Sequence, residues 1–416
     1  MRVAVIGAGI IGVNAALAFQ EAGAEVALID RDAPGLGASF GNAGCFAMSE
    51  TTPISMPGLL WQVPGMLLDP LGPLSLRWGY LPKLAPWLWS FVRAGRRDRV
   101  EAIASALKAL LGRVNADYQP LLRAAGAEDL IRREGALFIY DSAAALQGAA
   151  TEWEIKRQNG IAFDTLDAPA LRDLEPALSA SRFVGGKFVP DWWHTVDPHA
   201  IVTRLHDLFL SRAATMGGTS RRAEVAQIAT VDGGARLTFQ GAAAEDFDHV
   251  VIACGVQSRR FCRDLGQDLP LDTERGYNVT LSDPGVTLTR PVTVASRGYF
   301  MTPMAMGLRI GGGVELGGLD AKPNWARAEA MLTDARTALP GLQNDAGSRW
   351  MGFRPSMPDS LPVIGPLPGT RRVSVAFGHG HMGLTFGATT GRLVADLALG
   401  RPPAIDPTPY CASRFG

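Results

Sequence analysis

At 416 residues, 47% hydrophobic and 19% charged, the chain is long enough for two or three domains and too apolar for a disordered one. Forty Lys and Arg balance forty Asp and Glu, which removes the single-signed field that would draw in nucleic acid. Cys45, Cys254, Cys262 and Cys411 form no CxxC pair and, with the histidines, no zinc spacing. That argues against a bound metal and a disulfide framework, and for a reducing, cytoplasmic compartment.

Arg2–Ile6 is an apolar, β-rich run of the kind buried in a parallel sheet. Its opening reads as strand then turn rather than as a signal peptide. The glycine-rich Gly7–Gly12 follows, then a helical Val13–Ala22 stopped by Gly23, then a second strand, Glu25–Ile29, ending in Asp30. This is a βαβ unit of about 30 residues. From Met56 to Val92 the chain carries Trp61, Trp78, Trp87 and Trp89 among leucines and six prolines, which forbid a continuous helix of about 20 residues. Two readings stay open for 56–92: an irregular apolar subdomain packed on the body, or a face that touches the inner side of a membrane or an electron acceptor. The basic run Arg93–Arg99 reads as a solvated loop.

Beyond it, the spacing predicts helices over Val100–Arg123, Ala143–Gln158, Pro198–Met216, Asn324–Ala338 and Thr389–Leu399. It predicts strands at Gly135–Tyr140, Arg236–Gln240 and Val250–Ala253, and an antiparallel set at Asn278–Leu281, Gly298–Pro303 and Leu308–Gly312. No repeat or low-complexity linker separates these segments, so the domains are expected to interleave.

Gly7-Ala8-Gly9-Ile10-Ile11-Gly12 matches GxGxxG between a strand and a helix. Gly7 permits the tight turn, Gly9 lets backbone approach a pyrophosphate, and Gly12 lets the helix pack on the strand. The helix N-terminus offers free N–H groups to the phosphates. Asp30, 18 residues past Gly12, is placed to accept ribose hydroxyls. The turn does not choose between FAD and NAD, and Arg31 beside Asp30 keeps a 2′-phosphate, hence NADP, open.

Three further segments bear on that choice. Ser39-Phe40-Gly41-Asn42-Ala43-Gly44 is a small-residue loop able to lie against a flat cofactor. Asp248–Ser258 runs a buried strand into Ala253, Cys254 and Gly255, bringing a sheet end close to a ligand; Cys254 reads as a packing residue. Gly378-His379-Gly380-His381-Met382-Gly383-Leu384-Thr385 is a second glycine turn entering a helix N-terminus, where an electron-rich group can sit. No third ligand joins its two histidines.

Taken in order, GAGIIG, SFGNAG, VVIACGVQS, GFRPSMPDSLPVIG and GHGHMGLTFGATTG make the chain resemble, over nearly its whole length, the D-amino acid oxidase-type FAD-dependent oxidoreductases. Within them it is most similar to bacterial D-amino acid dehydrogenases, with glycine and sarcosine oxidases more distant. The resemblance implies an α/β (α+β overall) architecture. A Rossmann-like FAD-binding domain (1–55, 196–275 and 350–416) would interleave with a substrate domain on a mostly antiparallel sheet (56–195 and 276–349).

It also implies that Gly7, Gly9, Ile10, Ile11, Gly12, Asp30 and Arg31 hold the ADP half of noncovalent FAD, with Val225 meeting adenine through its backbone. Ser39, Asn42, Ala43 and Gly44 would lie near the ribityl chain, with Ala253 and Gly255 at the sheet end. Gly380, Met382, Gly383, Leu384 and Thr385 would border the flavin's pyrimidine end. Arg354, in GFRP, would grip the substrate carboxylate, with Tyr299 a further contact, Tyr277 a weaker one and His381 facing substrate. Trp192, Trp193 and His194 are read either as pocket or as core. His381 stands where glycine oxidase-like relatives carry arginine, and no cysteine of the GHGHMG turn offers a covalent flavin link.

The activity expected is oxidation of a D-amino or cyclic imino acid, with electrons passed to a quinone or other carrier. The alternatives are a glycine/sarcosine-type oxidase, a hydroxyproline-type dehydrogenase and, further off, a non-catalytic flavin subunit.

Overall fold

The computed structural model describes residues 1–68, 72–343 and 347–415. In chain order, the elements that position the site are β1 (Arg2–Ile6), α1 (Ile10–Glu21), β2 (Glu25–Asp30), α2 (Leu59–Leu68), α3 (Leu81–Ala94), α4 (Arg97–Ala124), β3 (Thr219–Arg222), β4 (His249–Ile252), β5 (Asp272–Leu281), β6 (Tyr299–Met304), β7 (Gly307–Leu316), β8 (Ser348–Ser356), β9 (Val363–Pro366), β10 (Val373–Phe377) and α5 (Gly383–Ala398).

The first sheet runs β3-β2-β1-β4-β10-β9, parallel except for the β9–β10 pair. Val3 to Ile6 are all buried because helices cover one face and a three-stranded antiparallel sheet (225–247) packs on the other. This is why β1 is a continuous apolar run rather than an alternating one. Among the described residues the second sheet has nine strands, mostly antiparallel, with β8, β5, β7 and β6 adjacent in that order. The architecture expected from the sequence is therefore present: a Rossmann-like sheet interleaved with a mostly antiparallel one. The expected domain limits at 275/276 and 349/350 fall inside β5 and β8, both of which belong wholly to the second sheet.

Three helices differ from expectation: Pro198–Met216 is two helices, Pro198–Ser211 and Ala213–Met216. Ala143–Gln158 is two helices, Ala143–Gly148 and Ala150–Gln158. The last helix starts at Gly383, six residues before the predicted Thr389. Glycine is a poor helix former, but here it allows contact that outweighs propensity. A Cβ on Gly391 would stand 2.5 Å from the carbonyl carbon of Asn14 in α1, and one on Gly387 would stand 2.5 Å from Tyr118 Oη in α4. Tyr118 Oη donates to Leu384 O, closing the α1–α4–α5 cluster.

Within the 56–92 stretch, the described residues form α2, a short strand (Leu74–Leu76), a 3-10 turn (Trp78–Tyr80) and the greater part of α3, with Pro64 inside α2 and Pro86 inside α3; Pro70 lies outside the described residues. Among the described residues no helix is long and apolar enough to cross a membrane. Leu84 and Trp87 pack against Leu316 of β7, whereas Trp61, Trp78 and Trp89 are 90%, 69% and 66% exposed. The basic run is not a loop: it ends α3 and starts α4, with Arg93, Arg96, Arg97 and Arg99 exposed.

Candidate active site

The turn after β1 is held by contacts only glycine allows. Gly7 has φ +106°, and a Cβ there would stand 2.4 Å from Ala253 O. A Cβ on Gly12 would stand 1.7 Å from Gly7 O. Gly9 is the N-cap of α1, so the free N–H groups of that helix face the space beyond the turn. Asp30 accepts from Ala8 N (2.6 Å) and Asp32 N (3.0 Å), one bond to each carboxylate oxygen. Each oxygen keeps a lone pair for a ribose hydroxyl. Ser39 Oγ accepts from Ile10 N at 3.1 Å, tying the SFGNAG loop to the helix start.

From this turn a single cavity of about 820 Å³ runs to the second sheet. Of the residues assigned to the cofactor, Gly7, Gly9, Ile10, Ile11, Asp30, Arg31, Ser39, Asn42, Ala43, Val225, Ala253, Gly255, Gly380, Gly383 and Leu384 line it. Gly12, Gly44, Met382 and Thr385 do not line it. Gly12 packs under the turn, and Gly44 packs on Thr195 O. Met382 precedes the helix, and Thr385 Oγ1 accepts from Ala47 N at 3.1 Å. The Val225 carbonyl accepts from Arg260, which also lines the cavity. Cys254 donates its thiol to Ile6 O at 3.2 Å, and burial pushes that thiol's pKa upward, so it is a packing group rather than a nucleophile.

At the far end, Arg354 projects from β8. Its Nη1 donates to Gly313 O at 2.8 Å, and its guanidinium lies on Gly276 of β5, where a Cβ would stand 2.5 Å from Nη2. Burial lowers its pKa and buried Glu274, its register partner on β5, opposes that shift. Arg354 is deep in the protein yet keeps surface because that surface faces the cavity. His381 lines the same cavity and is exposed to it. The surrounding protein holds its imidazole below the usual range, against the pull of Glu50 and Glu274. Gly380 N donates to Pro355 O at 2.7 Å, coupling the glycine turn to the strand that carries Arg354. His379 bonds Thr390 through Nε2 (2.9 Å), and burial pulls its pKa down to about 3.

Tyr299 corrects an expectation. It is 1% exposed in the core of the second sheet, and its hydroxyl donates to Asp334 at 2.8 Å, away from the cavity. Its neighbour Phe300 lines the cavity instead, because successive side chains on a strand point to opposite faces. Tyr277 places its ring in the wall, but its hydroxyl donates to buried Glu315. Trp192, Trp193 and His194 are core: Trp193 stacks on Phe46 at 3.6 Å, and Trp192 Nε1 donates to Ser49 Oγ.

Several residues went unnoticed in the sequence. Asn278 Nδ2 donates to Gly41 O (2.9 Å), Arg309 Nη1 to Asn42 O (2.7 Å), and the Trp350 ring lies against Gly41. Together they pin the SFGNAG loop from the second sheet. Only strand register unites them, and no local spacing signals that.

The glycine cradle, the spare lone pairs of Asp30, two helix N-termini and the length of the cavity fit an extended dinucleotide whose far end meets Arg354. A family model described as DAO, FAD dependent oxidoreductase, matches residues 2–397. The chain belongs to this family. Its members use FAD, which settles the cofactor against the NADP that Arg31 left open; Arg31 in fact pairs with Asp32 at 3.2 Å. Within the family the chain is 37% identical to a D-amino-acid oxidase of Bradyrhizobium diazoefficiens over all of this chain and 99% of that one. It is 31% identical to D-amino acid dehydrogenase 2 of Ralstonia nicotianae over the full length of both. Its fold matches the crystal structure of glycine oxidase from Geobacillus kaustophilus with a TM-score of 0.74, at 21% identity and 99% coverage of each chain.

Proposed function

We propose that this FAD-dependent oxidoreductase oxidises a D-amino acid, or a cyclic imino acid, to the imine and thence the 2-oxo acid. The observation that carries the reading is Arg354, a guanidinium recessed in the cavity wall that spends one donor on Gly313. A guanidinium so placed is a fork for a carboxylate. FAD bound noncovalently along the cavity would accept a hydride from the substrate α carbon. The chain's part is to orient. Arg354 fixes the carboxylate, and the packed pair β5–β8 holds Arg354 rigidly. Phe300 and Trp350 present apolar surface to the substrate end. Anaerobic mixing with D-amino, cyclic imino and N-methyl amino acids tests the reading. Bleaching of the flavin by one class supports it, and no bleaching by any refutes it.

The relatives' names divide on the electron acceptor, oxygen for the oxidase and another carrier for the dehydrogenase. The exposed Trp61, Trp78 and Trp89, flanked by exposed Arg93, Arg96, Arg97 and Arg99, favour the second. Aromatic and basic groups together suit peripheral contact with an anionic membrane face that holds a quinone. Reoxidation of the reduced enzyme by a soluble quinone faster than by air, and loss of vesicle co-sedimentation on changing the three tryptophans to alanine, are the results this requires.

A further inference from the structure

The hydride step needs a free amine, because an ammonium has no lone pair to stabilise the developing C=N bond. Free amino acids carry an ammonium at neutral pH, so one proton must leave the substrate nitrogen before the hydride does. Behind His381 lies a second, small cavity of about 20 Å³, enough for one water molecule. His381 lines both it and the main cavity.

The small cavity has a mostly apolar wall that carries a few polar groups. Ser356 and His379 line it, and Ser356 Oγ and His379 Nδ1 are buried without a partner among the described residues. Such groups call for water. Glu274 lines it from β5, and Glu50, Thr52 and Ile54 line it on the other side. Glu50 keeps 22% of its side chain in solvent and Ile54 is 40% exposed, so that side leads outward.

We propose that His381, Glu274 and this water-sized cavity, with Glu50 at its outer end, form the exit for the proton the substrate ammonium loses before oxidation. This rests on the reading of the site given above. The step moves one proton and no electrons. The N–H bond of the ammonium breaks and its electron pair stays on nitrogen. The proton passes to the neutral imidazole of His381, then through cavity water to the Glu50 carboxylate and solvent.

The charges around His381 suit this. Glu274 and Glu50 favour its protonated form, while Arg354, Lys156 and burial disfavour it, and the balance lies below the usual imidazole range. Lys156 is itself no acceptor. Burial pulls its pKa down, but Glu50 (3.2 Å) and Glu152 (2.8 Å) raise it further, so its ammonium stays charged and anchors Glu50.

The test is anaerobic stopped-flow reduction of the FAD-loaded enzyme, followed by flavin bleaching and a pH-indicator dye, over about pH 6 to 10. In His381→Gln the acid limb of the rate profile should move up by about one unit or more, and added imidazole should restore part of the rate. Ser356→Val, which fills the small cavity, and Glu50→Gln, which removes its outer acceptor, should slow reduction several-fold. Both should also enlarge the solvent isotope effect without weakening substrate binding. A structural role would not be rescued by imidazole. Variants that retain FAD and overlie the wild-type profile and isotope effect overturn this proton route. A wild-type flavin that no substrate class bleaches overturns instead the function on which it rests.

Discussion

Replacing Arg354 is the most direct probe of the site. The guanidinium has five N–H donors, and one goes to Gly313 O. The rest leave room for a two-point contact with a carboxylate, in a wall where burial has already disfavoured the charge. Truncating one partner of such a buried pair costs about 2–5 kcal/mol, or about 30- to 5,000-fold in kcat/KM. Arg354→Met should fall in that range. Arg354→Lys keeps the charge but cannot hold Gly313 O and both carboxylate oxygens at once, so about 10- to 100-fold is expected. The carboxylate contact exists before and during hydride transfer, so most of the loss should appear in KM, with a smaller loss in the limiting reduction rate from poorer orientation. Anaerobic stopped-flow reduction over a range of substrate concentrations separates the two. An Arg354→Met enzyme that retains FAD and stays within about threefold of wild type in kcat/KM would refute the assignment.

Gly12→Ala places a methyl group 1.7 Å from Gly7 O, so the turn must shift by more than an ångström. The purified variant should lose most of its bound flavin, read as the ratio of visible to ultraviolet absorbance. Tyr299→Phe removes a 2.8 Å bond and leaves Asp334 short of a donor inside the second sheet. Its urea midpoint should drop by about 1–2 kcal/mol of stability, with substrate kinetics unchanged. Acid should weaken the fold through His194 and His249. Burial, reinforced by Arg132 and Arg372 respectively, pulls each down to about 4 from an ordinary 6.5. The unfolded chain therefore binds more protons between those values. Their contribution is complete above about pH 6.5 and is lost as pH falls toward about 4, by on the order of 3 kcal/mol for each. Urea melts at several pH values would show the slope, and His249→Gln should reduce it.

Much of the fold was legible because its signals are local. The run Arg2–Ile6, the GxGxxG spacing and Asp30 lie within one βαβ unit, and each residue type is demanded by the turn itself. The Arg354 position followed from the GFRP segment and its family context. What stayed hidden depends on register. Tyr299 and Phe300 are neighbours, and one position on a strand decides which faces the cavity and which the core. Asn278, Arg309 and Trp350 meet Gly41 and Asn42 only once β5, β7 and β8 are paired. Glu274 lies opposite Arg354 for the same reason. The start of α5 was missed because Gly383, Gly387 and Gly391 look unhelical until α1 lies against them.

That last contact also bears on how the protein is made. β1 and α1 leave the ribosome well before their partners, for β1 has β4 as its neighbour and α1 rests on Gly391 of α5, about 380 residues later. At about 5–20 residues per second the wait is about 20–80 s. For that time the glycine turn has no helix behind it and no wall opposite. Flavin therefore lacks its complete cradle on the nascent chain until α5 has been made, and cofactor loading follows the arrival of that helix.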